Sequence, residues 1–195
     1  QSCVAGSRLL LHESIHDKIL DQVARRAKEI RIGDPLAETS QMGPLATLAQ
    51  LNNIQSTVKD ATANGATLIH GGGKPTHLEK GWYCEPTIVD CPNQNLGIVQ
   101  REMFGPVVSV LRFRDEAEAI KLANDTRYGL ASGVFTTNIG RALRVTKALR
   151  AGIVWVNTYR MVSPLAPFGG FKDSGYGRES GLDAIYDYTR PKTVW

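Results

Sequence analysis

Short β-branched runs alternate along this chain with segments of helical period, and that alternation limits the folds open to it more than any other feature. Residues 8–11 read as a strand, followed by a helix capped at Ser14 whose apolar positions Ile15, Ile19, Val23, Ala27 and Ile30 fall three or four apart. Gly33-Asp34-Pro35 ends it. A second amphipathic helix follows through Leu48, Leu51, Ile54, Val58 and Ala61, closes near Asn64-Gly65 and leads into a strand at Thr67–His70. Strands at 87–89, Val107–Phe113, 132–136 and Ile153–Val156 then exchange with helices through Ala117, Ile120 and Ala123 and through Ile139, Ala142, Leu143 and Leu149. Strands separated by helices pair in parallel, so the pattern predicts an α/β fold with a mainly parallel sheet covered by helices on both faces.

The periodicity fails between residues 157 and 181, where Pro164 and Pro167 precede four glycines between Gly169 and Gly177. A loop of that length in a folded domain usually carries function. The last residues, 186–195, hold β-formers around Pro191 and read as an edge strand or an arm that pairs with another subunit.

The length of 195 residues and the 42% hydrophobic content suffice for one domain with a core and a small appendage. No apolar run approaches the roughly 20 residues of a membrane span. The three cysteines form no CxxC pair, so neither a disulfide framework nor a zinc knuckle is indicated, and a reducing, cytoplasmic setting is expected. The net charge of +4 comes from basic residues scattered on helices, as at Arg25, Arg26 and Lys28, which suits a solvated face better than nucleic acid.

Cys3 is the candidate nucleophile. It stands among small residues in Gln1-Ser2-Cys3-Val4-Ala5-Gly6-Ser7-Arg8, where a short helical turn over residues 3–7 would aim unpaired amides at the sulfur and favour the thiolate. An enzyme seldom places its attacking group on the third residue, so the chain reads as the later part of a larger protein. Two other motifs carry less. His12-Glu13-Ser14-Ile15-His16 matches the HExxH zinc signature letter for letter, but that signature needs one continuous helix, whereas Ser14 reads as a cap and His12 as a strand end; no metal is expected. The glycines at 71–73 and at 175 and 177 lack the strand, GxGxxG, helix order of a dinucleotide fold and read as turns.

Five segments taken together go further: residues 1–8, Met42-Gly43-Pro44-Leu45, Glu102-Met103-Phe104-Gly105-Pro106-Val107, Tyr128-Gly129-Leu130-Ala131 and Pro167-Phe168-Gly169-Gly170-Phe171-Lys172-Asp173-Ser174-Gly175. In this order and spacing the chain resembles the NAD(P)-dependent aldehyde dehydrogenase superfamily, from Cys3 to Trp195. The resemblance implies that the Cys3 thiolate attacks an aldehyde to form a thiohemiacetal, that hydride passes to the nicotinamide of NAD or NADP, and that water cleaves the resulting thioester. It implies that Glu102 hydrogen-bonds the nicotinamide ribose and that Phe104 packs near the nicotinamide. It also places Phe168 and Val162 along the aldehyde tunnel, with Val162 where many relatives carry a larger aromatic, and makes Glu179 a relay for protons during deacylation. An ion pair with a neighbouring basic residue is the plainer reading of Glu179.

On the same basis residues 1–181 correspond to the catalytic domain and 182–195 to a C-terminal oligomerisation strand, so a homo-oligomer is expected. The family's nucleotide-binding half, its general-base glutamate and its oxyanion-hole asparagine precede the cysteine, so the partners expected are that missing half and a small aldehyde. The fragment alone is expected to show no appreciable turnover. Two rivals stay open: a semialdehyde dehydrogenase that releases its acyl group to coenzyme A, and a non-catalytic oligomerisation module that keeps the fold.

Overall fold

Alternation of side chains along the valine-rich run sorts the first part of the molecule into layers. The computed structural model describes all 195 residues and divides into two compact units, Gln1–Ala119 and Ile120–Trp195. The first holds β1 (Arg8–His12), α1 (His16–Lys28), α2 (Leu48–Ala63), β2 (Thr67–His70), β3 (Thr87–Asp90), α3 (Gly97–Gln100), β4 (Val107–Phe113) and the start of α4 (Glu116–Asn124). Its sheet has the order β1-β4-β3-β2, with β1 and β3 parallel to β4 and β2 antiparallel to β3.

Successive residues of a strand face opposite sides. Val107 and Leu111 of β4 and Val89 of β3 therefore join Leu51, Ile54, Val58 and Ala61 of α2 and Ile98 and Val99 of α3 in one cluster. Val110 and Ile88 face the other way and join Leu11 of β1 and Leu20, Ala24 and Ala27 of α1. A central strand covered on both sides needs apolar residues on both, which is why β4 is so rich in valine. Its buried Ser109 satisfies its hydroxyl by donating to the Ile98 carbonyl at 3.0 Å.

The strand and helix alternation thus appears where it was expected, but the start of α1 differs. Ile15 occupies the N-cap position without a side-chain bond, while Ser14 Oγ lies 2.8 Å from His12 Nδ1. The cap serine is diverted by the histidine two residues before it. The helix begins at His16, so Ile15 and Ile30 fall outside it and are exposed, and Leu20, Ala24 and Ala27 form the buried stripe.

The second unit contains the end of α4, β5 (Tyr128–Gly129), β6 (Ala131–Val134), α5 (Ile139–Ala148), β7 (Ile153–Val156), β8 (Phe171–Lys172) and α6 (Ala184–Tyr188). β6 and β7 pair in parallel with Gly133 opposite Trp155, and β5 pairs antiparallel with β8. Asn138 caps α5 by accepting from the Arg141 amide at 2.9 Å. The Asn124 side chain accepts from the Arg150 amide and donates to the Ala148 carbonyl, both at 2.8 Å, tying the end of α4 to the end of α5. At Gly152 a Cβ would run into the Gly169 carbonyl, so glycine lets these two backbones touch.

Of the two readings of the C-terminal residues, an edge strand within the chain is not found. Ala184–Tyr188 is helical and residues 189–195 have no regular structure. A strand needs a neighbour to take its backbone bonds; lacking one within the chain, this segment closes local bonds instead, from Ile185 N to Leu182 O and from Tyr186 N to Asp183 O. No helix is long and apolar enough to cross a membrane.

Candidate active site

Cys3 sits in a single tight turn closed by the Ala5 amide donating to the Ser2 carbonyl at 3.0 Å. The turn does not continue as a helix over residues 3–7. Arg8 already belongs to β1, so the backbone must become extended within three residues of the turn. The segment therefore offers the sulfur no helix N-terminus of its own. Val4 is buried and pins the turn, while Cys3 is exposed and its N–H makes no hydrogen bond within the chain.

The other cysteines are of a different kind. Cys84 and Cys91 are buried, and burial raises both thiols, that of Cys91 to about 11. Neither yields thiolate readily near neutrality.

Ser2 and Ala5, flanking the nucleophile in its turn, line a cleft of about 380 Å³ together with Glu102, Phe104, Gly105 and Pro106. The first unit thus brings the neighbours of Cys3 and the expected cofactor residues onto one opening, while Cys3 itself is not in the lining. Glu102 is exposed, and the Phe104 ring is 42% exposed although Met103 between them is buried at 3%. That reversal is fixed by the backbone: Phe104 has φ of 46°, a left-handed conformation that costs a non-glycine residue energy and persists only where its surroundings impose it. Gly105 follows because a Cβ there would strike the Ile54 side chain of α2. The Gln50 carboxamide of α2 donates to the Met103 carbonyl.

In the second unit, Phe168 and Glu179 are brought together by the backbone. The Phe168 N–H donates to the Glu179 carbonyl at 2.6 Å and the reverse bond is 2.7 Å. The Glu179 side chain is exposed and takes part in none of the ion pairs, so the plainer reading of it as an ion-pair partner is not found. Val162 is 63% exposed, on a loop whose shape is set at its base. Asn157, itself left-handed at φ of 53°, accepts from the Thr136 amide and donates to the Thr136 carbonyl, both at 2.9 Å. The buried Trp155 indole donates to the Met161 carbonyl at 2.7 Å and meets the Tyr159 ring edge to face at 4.9 Å.

The supporting residues Gln50, Trp155 and Asn157 escape a sequence reading aimed at reactive groups. Only Gln50 leaves a trace, as the fourth residue of Thr47-Leu48-Ala49-Gln50, a capping-box pattern. The two histidines of the HExxH match do not share a helix face. His12 ends β1, and His16, fully buried at the head of α1, lies 2.9 Å from Asp17 and 3.0 Å from Asp90.

Residues 1–194 match the aldehyde dehydrogenase family. Along its whole length the chain is 54% identical to the (Z)-2-((N-methylformamido)methylene)-5-hydroxybutyrolactone dehydrogenase of Acinetobacter baylyi, of which it covers 40%. It is 44% identical to a betaine aldehyde dehydrogenase of Brucella anthropi, with the same 40% coverage. A crystal structure of betaine aldehyde dehydrogenase from Staphylococcus aureus in complex with NAD+ superposes with a TM-score of 0.92 at 42% identity, over 96% of this chain and 38% of that one. The chain thus spans about 40% of the length of the curated relatives it matches. By family and by fold, this chain belongs to the aldehyde dehydrogenases.

Proposed function

We propose that the chain carries the aldehyde-capturing nucleophile of an NAD(P)-dependent aldehyde dehydrogenase that forms a carboxylic acid. One observation carries this reading: Ser2 and Ala5, on either side of the exposed Cys3, line the cleft that Glu102 and Phe104 also line, although Cys3 itself is not in the lining. The Cys3 thiolate adds to the carbonyl carbon, a C–S bond forms, and the π pair moves onto oxygen. The unpaired Cys3 N–H is free to donate to that oxyanion.

Glu102 and Phe104 fit the nicotinamide end of the cofactor. The exposed carboxylate can accept from ribose hydroxyls, and the exposed ring offers an apolar face beside Pro106. When bound, the nicotinamide supplies the acceptor for the hydride leaving the thiohemiacetal carbon. The thioester then left on Cys3 needs water and a route for its proton, and Glu179 is assigned to that relay from its match to the family pattern alone. Val162 and Phe168 are assigned to the aldehyde from their match to the family pattern. Exposed Tyr186, Tyr188, Val194 and Trp195 support an oligomerising role for residues 182–195.

The 195 residues alone are expected to show no appreciable turnover, because the relatives are far longer and the general-base glutamate is not among the matched motifs. The test is therefore a chimera in which this chain replaces the matching segment of the Acinetobacter relative. Aldehyde-dependent NADH formation that is abolished when iodoacetamide modifies Cys3 alone supports the reading. Full turnover with Cys3 alkylated would overturn it.

A further inference from the structure

The first turn of α2 touches both the nucleophile segment and the cofactor segment. Just before the helix, the Ala46 amide donates to Gln1 Oε1 at 2.9 Å, which ties down the strand of chain leading into the Cys3 turn. Thr47 caps the helix by accepting from the Gln50 amide at 3.2 Å. Gln50 holds the Met103 carbonyl, and one turn later Ile54, fully buried, lies where any side chain at Gly105 would have to go.

Gln50 departs from what its position predicts. In the sequence Thr47-x-x-Gln50 the glutamine stands where a capping box would turn its side chain back to the Thr47 amide. Here only the threonine half of the box forms, and the glutamine carboxamide instead reaches a carbonyl 53 residues away. That carbonyl belongs to the residue immediately before the left-handed Phe104. The far side of the same segment is fixed as well, since the Pro106 carbonyl accepts from the Thr87 amide at 2.7 Å and the Gly105 carbonyl from the Val107 amide at 2.8 Å. A strained φ survives only when its neighbours are held on both sides, and Gln50 supplies the hold on the N-terminal side.

From this we infer that Gln50 is a positioning residue. Its carboxamide fixes the Met103 peptide so that Met103 turns into the core while Glu102 and Phe104 both turn out into the cleft, and α2 holds that pair in register with the Cys3 turn. The inference rests on the cofactor role of Glu102 and Phe104 given above, and the experiment separates the two.

Gln50→Glu is the informative substitution. A carboxylate at this position completes the capping box and suits the positive end of the helix, so α2 keeps its stability, but it cannot donate to the Met103 carbonyl. In the 195-residue chain, Gln50→Glu should leave the urea midpoint unchanged while the Thr87 and Val107 amides, which donate to the Pro106 and Gly105 carbonyls, exchange hydrogen on the order of three to ten times faster, the range expected for loss of one neutral hydrogen bond. In the chimeric dehydrogenase the same substitution should raise KM for NAD by a similar factor and leave KM for the aldehyde alone. Unchanged exchange at Thr87 and Val107 overturns the positioning role, whatever the kinetics. Glu102→Gln serves as the reference: if it leaves KM for NAD unchanged, the cofactor reading fails, and if it raises KM while Gln50→Glu does not, only the Gln50 inference fails.

Discussion

The two loops that present ligand-assigned side chains are held in opposite ways. Residues 101–106 are fixed by what they bury: Met103 lies in the core, Gly105 against Ile54, and the Met103 carbonyl against Gln50. Residues 157–167 are fixed by polar clips at one end, where Asn157 pairs twice with Thr136 and Trp155 donates to Met161, while Met161, Val162 and Leu165 stand out from the surface. The loop at residues 101–106, proposed to meet the cofactor, is therefore part of the core. In residues 157–167, the loop proposed to face the aldehyde, a clipped backbone carries side chains that pack against little, so their identity can vary while stability holds.

Gly105→Ala should have the largest effect. The added methyl group meets Ile54, and overpacking of this kind costs about 1–3 kcal/mol. A urea midpoint equal to that of the unaltered chain would show that residues 101–106 are not bound into the core. Trp155→Phe keeps an aromatic ring in place but removes the donor to Met161, at a cost of about 1 kcal/mol. Limited proteolysis should then cut within 157–167 while sparing 101–106; equal cutting of both would end the contrast. Val162→Phe should change stability by less than about 0.5 kcal/mol, as for other exposed positions, yet shift the aldehyde preference of the chimera. A large loss of stability, or no shift in preference, would break the assignment of that loop.

The smallest effect is in acid and belongs to the first unit. Its bond with His16, followed by the charge of Arg112, holds the Asp17 carboxyl below the usual carboxylate range. Because the folded value lies below the unfolded one, the contribution is present above the ordinary carboxylate range and fades as pH falls through it to the folded value. Asp17 is exposed, so the contribution is small and shrinks with salt. Asp17→Asn should flatten the acid limb of the stability curve slightly at low salt; an unchanged limb would show that the pair contributes nothing.

Strands with a strong apolar pattern were legible from sequence alone. β4 falls at the residues its composition predicts because burial on a sheet leaves a direct mark on residue choice, and β2 and β7, although less buried, also fall where they were read. β5 and β8 were not visible, since two residues carry no period. Tyr186 and Tyr188 read as strand formers but sit in α6, where no neighbour offers a strand to pair with. Of the proposed site residues, Cys3 drew notice by its own chemistry, whereas Glu102 entered only through the resemblance to the family pattern. The residues that hold the site did neither, because a glutamine or tryptophan becomes a clamp only through a carbonyl that the fold brings to it, in one case from 53 residues away.

The most direct test of the central claim is to find where the acyl group resides. The chimera is mixed with aldehyde and NAD, quenched in acid within one turnover, digested and analysed by mass spectrometry. The account predicts an added acyl mass on the peptide containing Cys3, with Cys84 and Cys91 unmodified. Turnover at the full rate with no adduct at Cys3, or in a Cys3→Ala chimera, would contradict it.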